Sequence, residues 1–174
     1  MGSLIAALEA DGLLEAAHND FHKKQLIINA AFLHDIGKVA MPDNILNKRG
    51  LLSSEEFRVI QSHTWQGAKI ASQLAPICGS AYARQLEEIC MYHHERWDGC
   101  GYPSGLAGKE IPYAARLMAI VDVYDALTHD RPYKPAYPQQ LSLSIIADGC
   151  GTQFDPMIAR VFIAHAKELA PCQL

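Results

Sequence analysis

Two short runs in this 174-residue chain combine residue types that can hold divalent metals: His34-Asp35, trailed by Gly37-Lys38, and His93-His94-Glu95. Imidazole nitrogens and carboxylate oxygens are good ligands for borderline divalent ions, and one carboxylate can bridge two of them. Neighbouring residues on a helix project about 100° apart, so an adjacent pair can embrace an ion seated at the helix side. His63 stands one turn from Val59, Ile60 and Gly67, on what should be the buried face of its helix. Asp122 and Asp125 lie one turn apart among Met118, Ala119 and Val121, where a carboxylate is costly to bury unless it is paired or metal-bound. Taken singly, each feature has a commonplace explanation: a surface ion pair, or a satisfied core histidine. Together, four histidines and an aspartate or two on four predicted helices form the pattern that a metal site in a bundle core requires. No cysteine joins the set, which disfavours zinc-finger and iron–sulfur chemistry; O/N ligands suit Fe, Mn, Co or Zn.

The elements that must position these residues read as helices. The pattern predicts helices over 3–17 and 22–36, the second with Leu26, Ile27, Ala30, Ala31 and Leu33 on an apolar face and Gly37 near its end. Residues 39–52, with Pro42, Asn44, Asn47 and Gly50, predict an ordered loop. Ser53 and Glu56 have capping-box spacing, and a helix of about 20 residues should follow. Gly67 is unusual inside a helix, where it costs roughly 1 kcal/mol against Ala, and a close approach at that turn would explain it. A further helix covers 80–94. The glycines of 98–111 then interrupt the pattern, and Pro112 suits the first turn of a helix running to about Thr128. Pro132, Pro135 and Pro138 break the chain, and helices near 139–148 and 155–169 complete it. Sustained period-2 alternation is missing, so the expected fold class is all-α.

A chain of this length fits one domain with a buried core. No apolar run approaches the roughly 20 residues that span a bilayer, and no secretory leader is read at the start. The net charge of −4 argues against binding to a nucleic-acid polymer. An anionic substrate would need local cations, either metals or Lys and Arg. The five cysteines, odd in number and with no CxxC, are read as reduced thiols of a cytoplasmic protein.

At this point the residues match a known family. His34-Asp35-Ile36-Gly37-Lys38 resembles the HD signature of the HD phosphohydrolase superfamily. His93-His94-Glu95-Arg96-Trp97-Asp98-Gly99-Cys100-Gly101-Tyr102-Pro103 resembles the extended GYP motif of its HD-GYP branch. Gly105-Leu106 with Gly108, Ile111-Pro112, Arg116, the segment from Asp122 to Arg131-Pro132-Tyr133-Lys134, and Phe154-Asp155-Pro156 extend the match over about residues 23–165.

The resemblance implies an HD-domain helical bundle with a GYP loop, and a phosphodiesterase that hydrolyses cyclic di-GMP to linear pGpG or GMP in bacterial second-messenger signalling. It implies two or three divalent ions, Fe or Mn first and Ni, Co or Zn as others. By position, His34, Asp35, His63, His93, His94 and Asp122 would be the metal ligands, with Asp35 bridging. Asp35, Lys38 and His94 would carry catalysis. Lys38, Tyr102, Arg131 and Lys134 would bind the dinucleotide. Asp125 looks structural. The chemistry expected is two-metal hydrolysis, with the proton for the leaving 3′-oxygen coming from His94 or a water. In the family a His lies on a helix roughly 30 residues before the HD pair. Counting back reaches Met1-Gly2-Ser3, where no ligand stands, and His18 and His22 lie too close to the pair to match. The chain is therefore expected to be a single domain that lacks part of its N-terminal helix and any upstream sensory or receiver domain. Signalling proteins or that upstream domain are the expected partners. The alternative is a catalytically impaired module that binds cyclic di-GMP or docks other proteins.

Overall fold

Ser53 sets the start of the helix that leads to His63: its hydroxyl accepts from the Glu56 amide at 3.2 Å, while Glu56 accepts from the Ser53 amide at 2.7 Å. This reciprocal capping box satisfies two of the amides that a helix start leaves without partners. The structure is a computed structural model and describes residues 1–15, 20–130 and 135–166. These form α1 (Gly2–Ala10), α2 (Phe21–Ala31), α3 (Asp43–Leu46), α4 (Ser54–Gln61), α5 (His63–Gln73), α6 (Ala75–Cys78), α7 (Ser80–Tyr92), α8 (Tyr113–Thr128), α9 (Gln139–Asp148) and α10 (Pro156–Ala164). Short 3₁₀ turns occupy Ile36–Ala40 and Gly108–Glu110. The described residues contain no strand, only isolated bridges between Asp98 and Ala107 and between Cys150 and Phe154. The all-α expectation therefore holds.

Several boundaries differ from the sequence pattern. The helix expected over 22–36 ends at Ala31, so His34 and Asp35 sit in a turn beyond α2 instead of on its side. The helix from Ser53 divides at Ser62, whose hydroxyl bonds the Val59 carbonyl at 2.6 Å while its amide is shared between Arg58 and Val59. Such back-bonding by serine tightens a turn and bends the axis. The first helix stops at Ala10, before Gly12 at φ +65°, and the loop over 39–52 contains the single turn α3. The 80–94 helix ends at Tyr92 with His93 as its cap, and Pro112 precedes α8 instead of opening it.

Helix α8 is the axis of the bundle. Every residue from Tyr113 to Ile120 is buried, as expected of a helix that is apolar all round. Leu86 and Ile89 of α7, Leu4 and Leu8 of α1, and Ile158 and Phe162 of α10 share its core. Arg116 is the exception in that apolar run. Its guanidinium reaches Asp155 at 2.7 Å, Glu15 at 2.8 Å and the Ile111 carbonyl at 3.0 Å. Asp155 in turn caps α10 by accepting from Met157 at 2.9 Å. One buried cation thus ties the start of α8 to the start of α10 and to the segment after α1.

Candidate metal centre

The turn bearing His34 and Asp35 is pressed onto α5 by two facing glycines. A Cβ on Gly37 would lie 1.9 Å from the His63 carbonyl oxygen, and one on Gly67 would lie 3.1 Å from Cys90 Cβ. This meeting of three backbone segments, the turn after α2, α5 and α7, is the close approach that Gly67 anticipated. It places Asp35 directly over the buried His63.

His63 and His93 are oriented by the backbone. The Nδ1 of His63 donates to the Ile60 carbonyl at 2.6 Å, and that of His93 to the Ile89 carbonyl at 2.8 Å. With Nδ1 engaged as donor, each Nε2 presents a lone pair. Those two Nε2 atoms lie 3.4 Å apart. The Oδ1 of Asp35 lies 3.4 Å from the first and 3.8 Å from the second, and has no hydrogen-bond partner. Three acceptors therefore face one another with no donor between them, an arrangement that calls for a cation. A point equidistant from the three is roughly 2 Å from each, the ordinary metal–nitrogen distance. His94 joins the group, and one ligand atom from each of Asp35, His63, His93 and His94 falls within 4.8 Å of all the others. The donor set and its orphaned atoms fit a divalent metal.

His34 and Asp122 flank this group. The Nδ1 of His34 donates to the Ala31 carbonyl at 2.8 Å. Its Nε2 lies 3.3 Å from Asp35 and 3.5 Å from Asp122, buried and without a well-formed hydrogen bond. Burial opposes charge on His34, but the Asp122 and Asp35 carboxylates outweigh it and raise its pKa to about 10. The same ring, with Lys38, holds Asp35 well below the usual carboxylate range against the effect of burial. Burial keeps His63 below its ordinary value and His94 at about 4, while burial and the neighbouring His94 lower His93. At neutral pH the latter three rings are thus neutral, the form that ligates. A metal bound between Asp35 and Asp122 would displace the His34 proton.

Lys38 is paired with Asp35 through its ammonium group. Tyr102 lies with its ring 4.8 Å from that of His94, at 30°. Together with Phe57, Gln61 and Asp122, these two aromatic groups line a cavity of about 330 Å³ beside the histidines. Lys38 is not among the residues lining that cavity. Arg131 and Lys134 lie outside the described residues. Asp125 is exposed and pairs with His129 at 3.1 Å, away from the cluster. His22 is exposed against Phe21 on the far turn of α2, and His18 lies outside the described residues. Sequence reasoning passed over Glu95 and Gly37 as structural determinants. Glu95 carried a usable signal: a carboxylate between paired histidines and a glycine-rich loop, with no nearby cation to neutralise it except Arg96.

A family model described as an HD domain matches residues 12–158, and the chain belongs to that family. It is 44% identical over 141 residues to a cyclic di-GMP phosphodiesterase of Vibrio cholerae serotype O1, covering 80% of this chain and 29% of the relative. A cyclic di-GMP phosphodiesterase of Thermotoga maritima is 40% identical over 140 residues, covering 80% of this chain and 37% of the relative. A 3′3′-cGAMP-specific phosphodiesterase of Vibrio cholerae is 39% identical, covering 82% and 27%. This chain therefore spans about a third of the length of these curated relatives. The crystal structure of a cyclic GMP-AMP-specific phosphodiesterase from Vibrio cholerae shares the fold, with a TM-score of 0.60 at 15% identity, over 98% of this chain and 43% of that one. Among the described residues no helix is long and apolar enough to cross a membrane.

Proposed function

We propose that this chain is the hydrolytic domain of a metal-dependent phosphodiesterase that cuts cyclic di-GMP. The observation that carries the reading is the convergence of Asp35 Oδ1 with the Nε2 atoms of His63 and His93, three buried acceptors around one point. Asp35, His63, His93 and His94 would hold one ion, and His34 with Asp122 would complete a second position sharing Asp35. Ions held there supply Lewis acidity and a nucleophile drawn from water at neutral pH. An N/O donor set suits Fe, Mn, Co or Zn, and the family resemblance puts Fe or Mn first, with Ni, Co or Zn as alternatives. Lys38, anchored on Asp35, puts a positive charge where phosphoryl oxygens gain negative charge. Tyr102 offers an aromatic face at the cavity. Arg131 and Lys134 would supply further cations for the second phosphate. Neutral His94 holds no surplus proton to give, so water is the favoured proton source for the leaving 3′-oxygen. The domain would act in the cytoplasm, coupled to signalling partners or a regulatory segment.

The relatives named for cyclic di-GMP reach higher identity than those named for 3′3′-cGAMP, which supports the first substrate. Metal analysis of anaerobically purified protein, with turnover assayed on both dinucleotides, tests the reading. Stoichiometric metal with faster hydrolysis of cyclic di-GMP is expected. Metal-loaded protein that binds the nucleotide without cutting it would overturn the enzymatic reading.

A further inference from the structure

We infer that Glu95 is a positioning residue, which clasps the loop after Gly101 so that the Tyr102 ring is held on His94. Glu95 is only 2% exposed, and Oε1 accepts from the backbone amides of Ser104 at 2.7 Å and Gly105 at 3.1 Å. A carboxylate accepting two amides makes charge-assisted bonds, stronger than neutral ones. Its Oε2 is buried and meets no hydrogen-bond partner, so the clasp is what holds the group in place. The loop closes back on its own beginning. Tyr102 donates its amide to the His94 carbonyl at 3.3 Å. A Cβ on Gly101 would lie 2.4 Å from the Arg96 nitrogen and 2.6 Å from Glu95 Cα, so the chain passes tightly there.

The ring of His94 is bounded by three others, His63 meeting it edge-on at 5.1 Å between centroids. His93 lies at 4.0 Å between centroids and Tyr102 at 4.8 Å. His93 is fixed by two backbone carbonyls and His63 by the Ile60 carbonyl, so the side of His94 left to be set is the one Tyr102 covers. Tyr102 touches Phe57 edge-on at 6.2 Å and is otherwise placed by its backbone, tied at its own amide to the His94 carbonyl and from two residues on by Glu95. Glu95 thereby acts on His94, and on the aromatic wall of the cavity, through Tyr102. Its catalytic consequence rests on the phosphodiesterase reading; its effect on the ring pair does not.

The test uses protein loaded with Zn²⁺, which is diamagnetic, so that histidine ring resonances can be recorded by NMR. The His94 resonance, assigned by its loss in His94→Gln, should be displaced upfield by the Tyr102 ring, and Tyr102→Leu should remove that displacement. Glu95→Ala and the shorter Glu95→Asp should remove it too, whereas Glu95→Gln, which keeps an oxygen acceptor, should retain it. Zn²⁺ content should match the parent in the Glu95 and Tyr102 variants, none of which removes a residue of the ion-holding group. In the enzyme purified with its native metal, kcat/KM for cyclic di-GMP should fall by ~10–100-fold in Glu95→Asp, the usual scale for a residue that orients another. Glu95→Gln should stay within about threefold of the parent, and Glu95→Asp should cause no further loss in a Tyr102→Leu background. A displaced His94 resonance persisting in Glu95→Asp, or a full loss in Glu95→Gln, would overturn the inference. A parent protein inactive on the dinucleotide would sink the phosphodiesterase reading, while the NMR comparison would still decide the role of Glu95.

Discussion

Gly37 and Gly67 meet backbone to backbone: a Cβ added to Gly37 would sit 2.5 Å from the Gly67 nitrogen, and one added to Gly67 would sit 3.3 Å from the Gly37 nitrogen. This contact joins the turn after α2 to α5 and brings Asp35 within 3.4 Å of His63. The conformational freedom of glycine is secondary here, because neither residue has positive φ. What the site requires is the missing side chain.

Gly37→Ala should therefore destabilise the fold by about 3 kcal/mol, the upper part of the usual range for overpacking, since the obstruction is backbone and cannot swing aside. Urea unfolding checks this. Gly50→Ala serves as the comparison, because nothing lies within 4 Å of a Cβ there; it should be neutral or stabilising by about 0.5 kcal/mol. Equal destabilisation by the two changes would show that the Gly37 contact is not needed.

Asp35→Ala and Lys38→Ala should separate metal binding from charge stabilisation. Removing Asp35 deletes the carboxylate that faces His34, His63 and His93, so metal content and turnover should both collapse. The protein should remain folded, because the apolar face of α2 is intact. Lys38→Ala should keep its metal and lose ~10²–10³-fold in kcat, the scale of removing one preorganised charge stabiliser. Elemental analysis and hydrolysis of cyclic di-GMP distinguish the two. Full metal in Asp35→Ala would place the centre elsewhere.

Arg116 offers a test of the scaffold apart from the chemistry. Its head group and that of Asp155 are both nearly inaccessible and in contact at 2.7 Å. Arg116→Ala leaves Asp155 buried without its partner, which costs about 3–5 kcal/mol. The urea midpoint should fall accordingly, while the protein that remains folded keeps its metal. A change under 1 kcal/mol would show that Glu15 and Asp155 find other partners or solvent.

Thiol reactivity should follow burial. Cys78 and Cys100 are exposed, whereas Cys90 is buried beneath the Gly67 contact with its thiol pushed up to about 12 by burial and by the Asp35 charge. The thiolate is the reactive form, so an alkylating reagent at neutral pH should label Cys78 and Cys100 and spare Cys90 until the protein unfolds. Mass spectrometry of labelled peptides reads the order directly. Labelling of Cys90 at the rate of Cys78 would contradict its burial on the face of α7 that meets Gly67 of α5.

Much of this was legible before any coordinates. Residue types alone marked His34, Asp35, His63, His93, His94 and both Asp122 and Asp125, because imidazoles and carboxylates recurring on apolar stretches are costly to bury without a shared purpose; the family resemblance separated the two aspartates. The capping box at Ser53 and the helix Gln139–Asp148 follow from local hydrogen bonding and side-chain periodicity, which a linear pattern carries. The apolar pattern after Pro112 likewise signalled a helix to about Thr128.

Tertiary structure decided the rest. Whether a helix ends at Ala31 or continues to residue 36 depends on a packing contact at Gly37 with a segment 30 positions away, and propensity holds no record of that contact. The direction of each lone pair depends on which carbonyl the opposite ring nitrogen meets. The roles of Glu95 and Arg116 emerged only when distant backbone amides and carboxylates came within reach. The sequence determined which chemistry was available, since that is set by functional groups. The fold determined which groups share a point in space, because Coulombic and coordination energies fall off over a few ångströms and only packing specifies those distances.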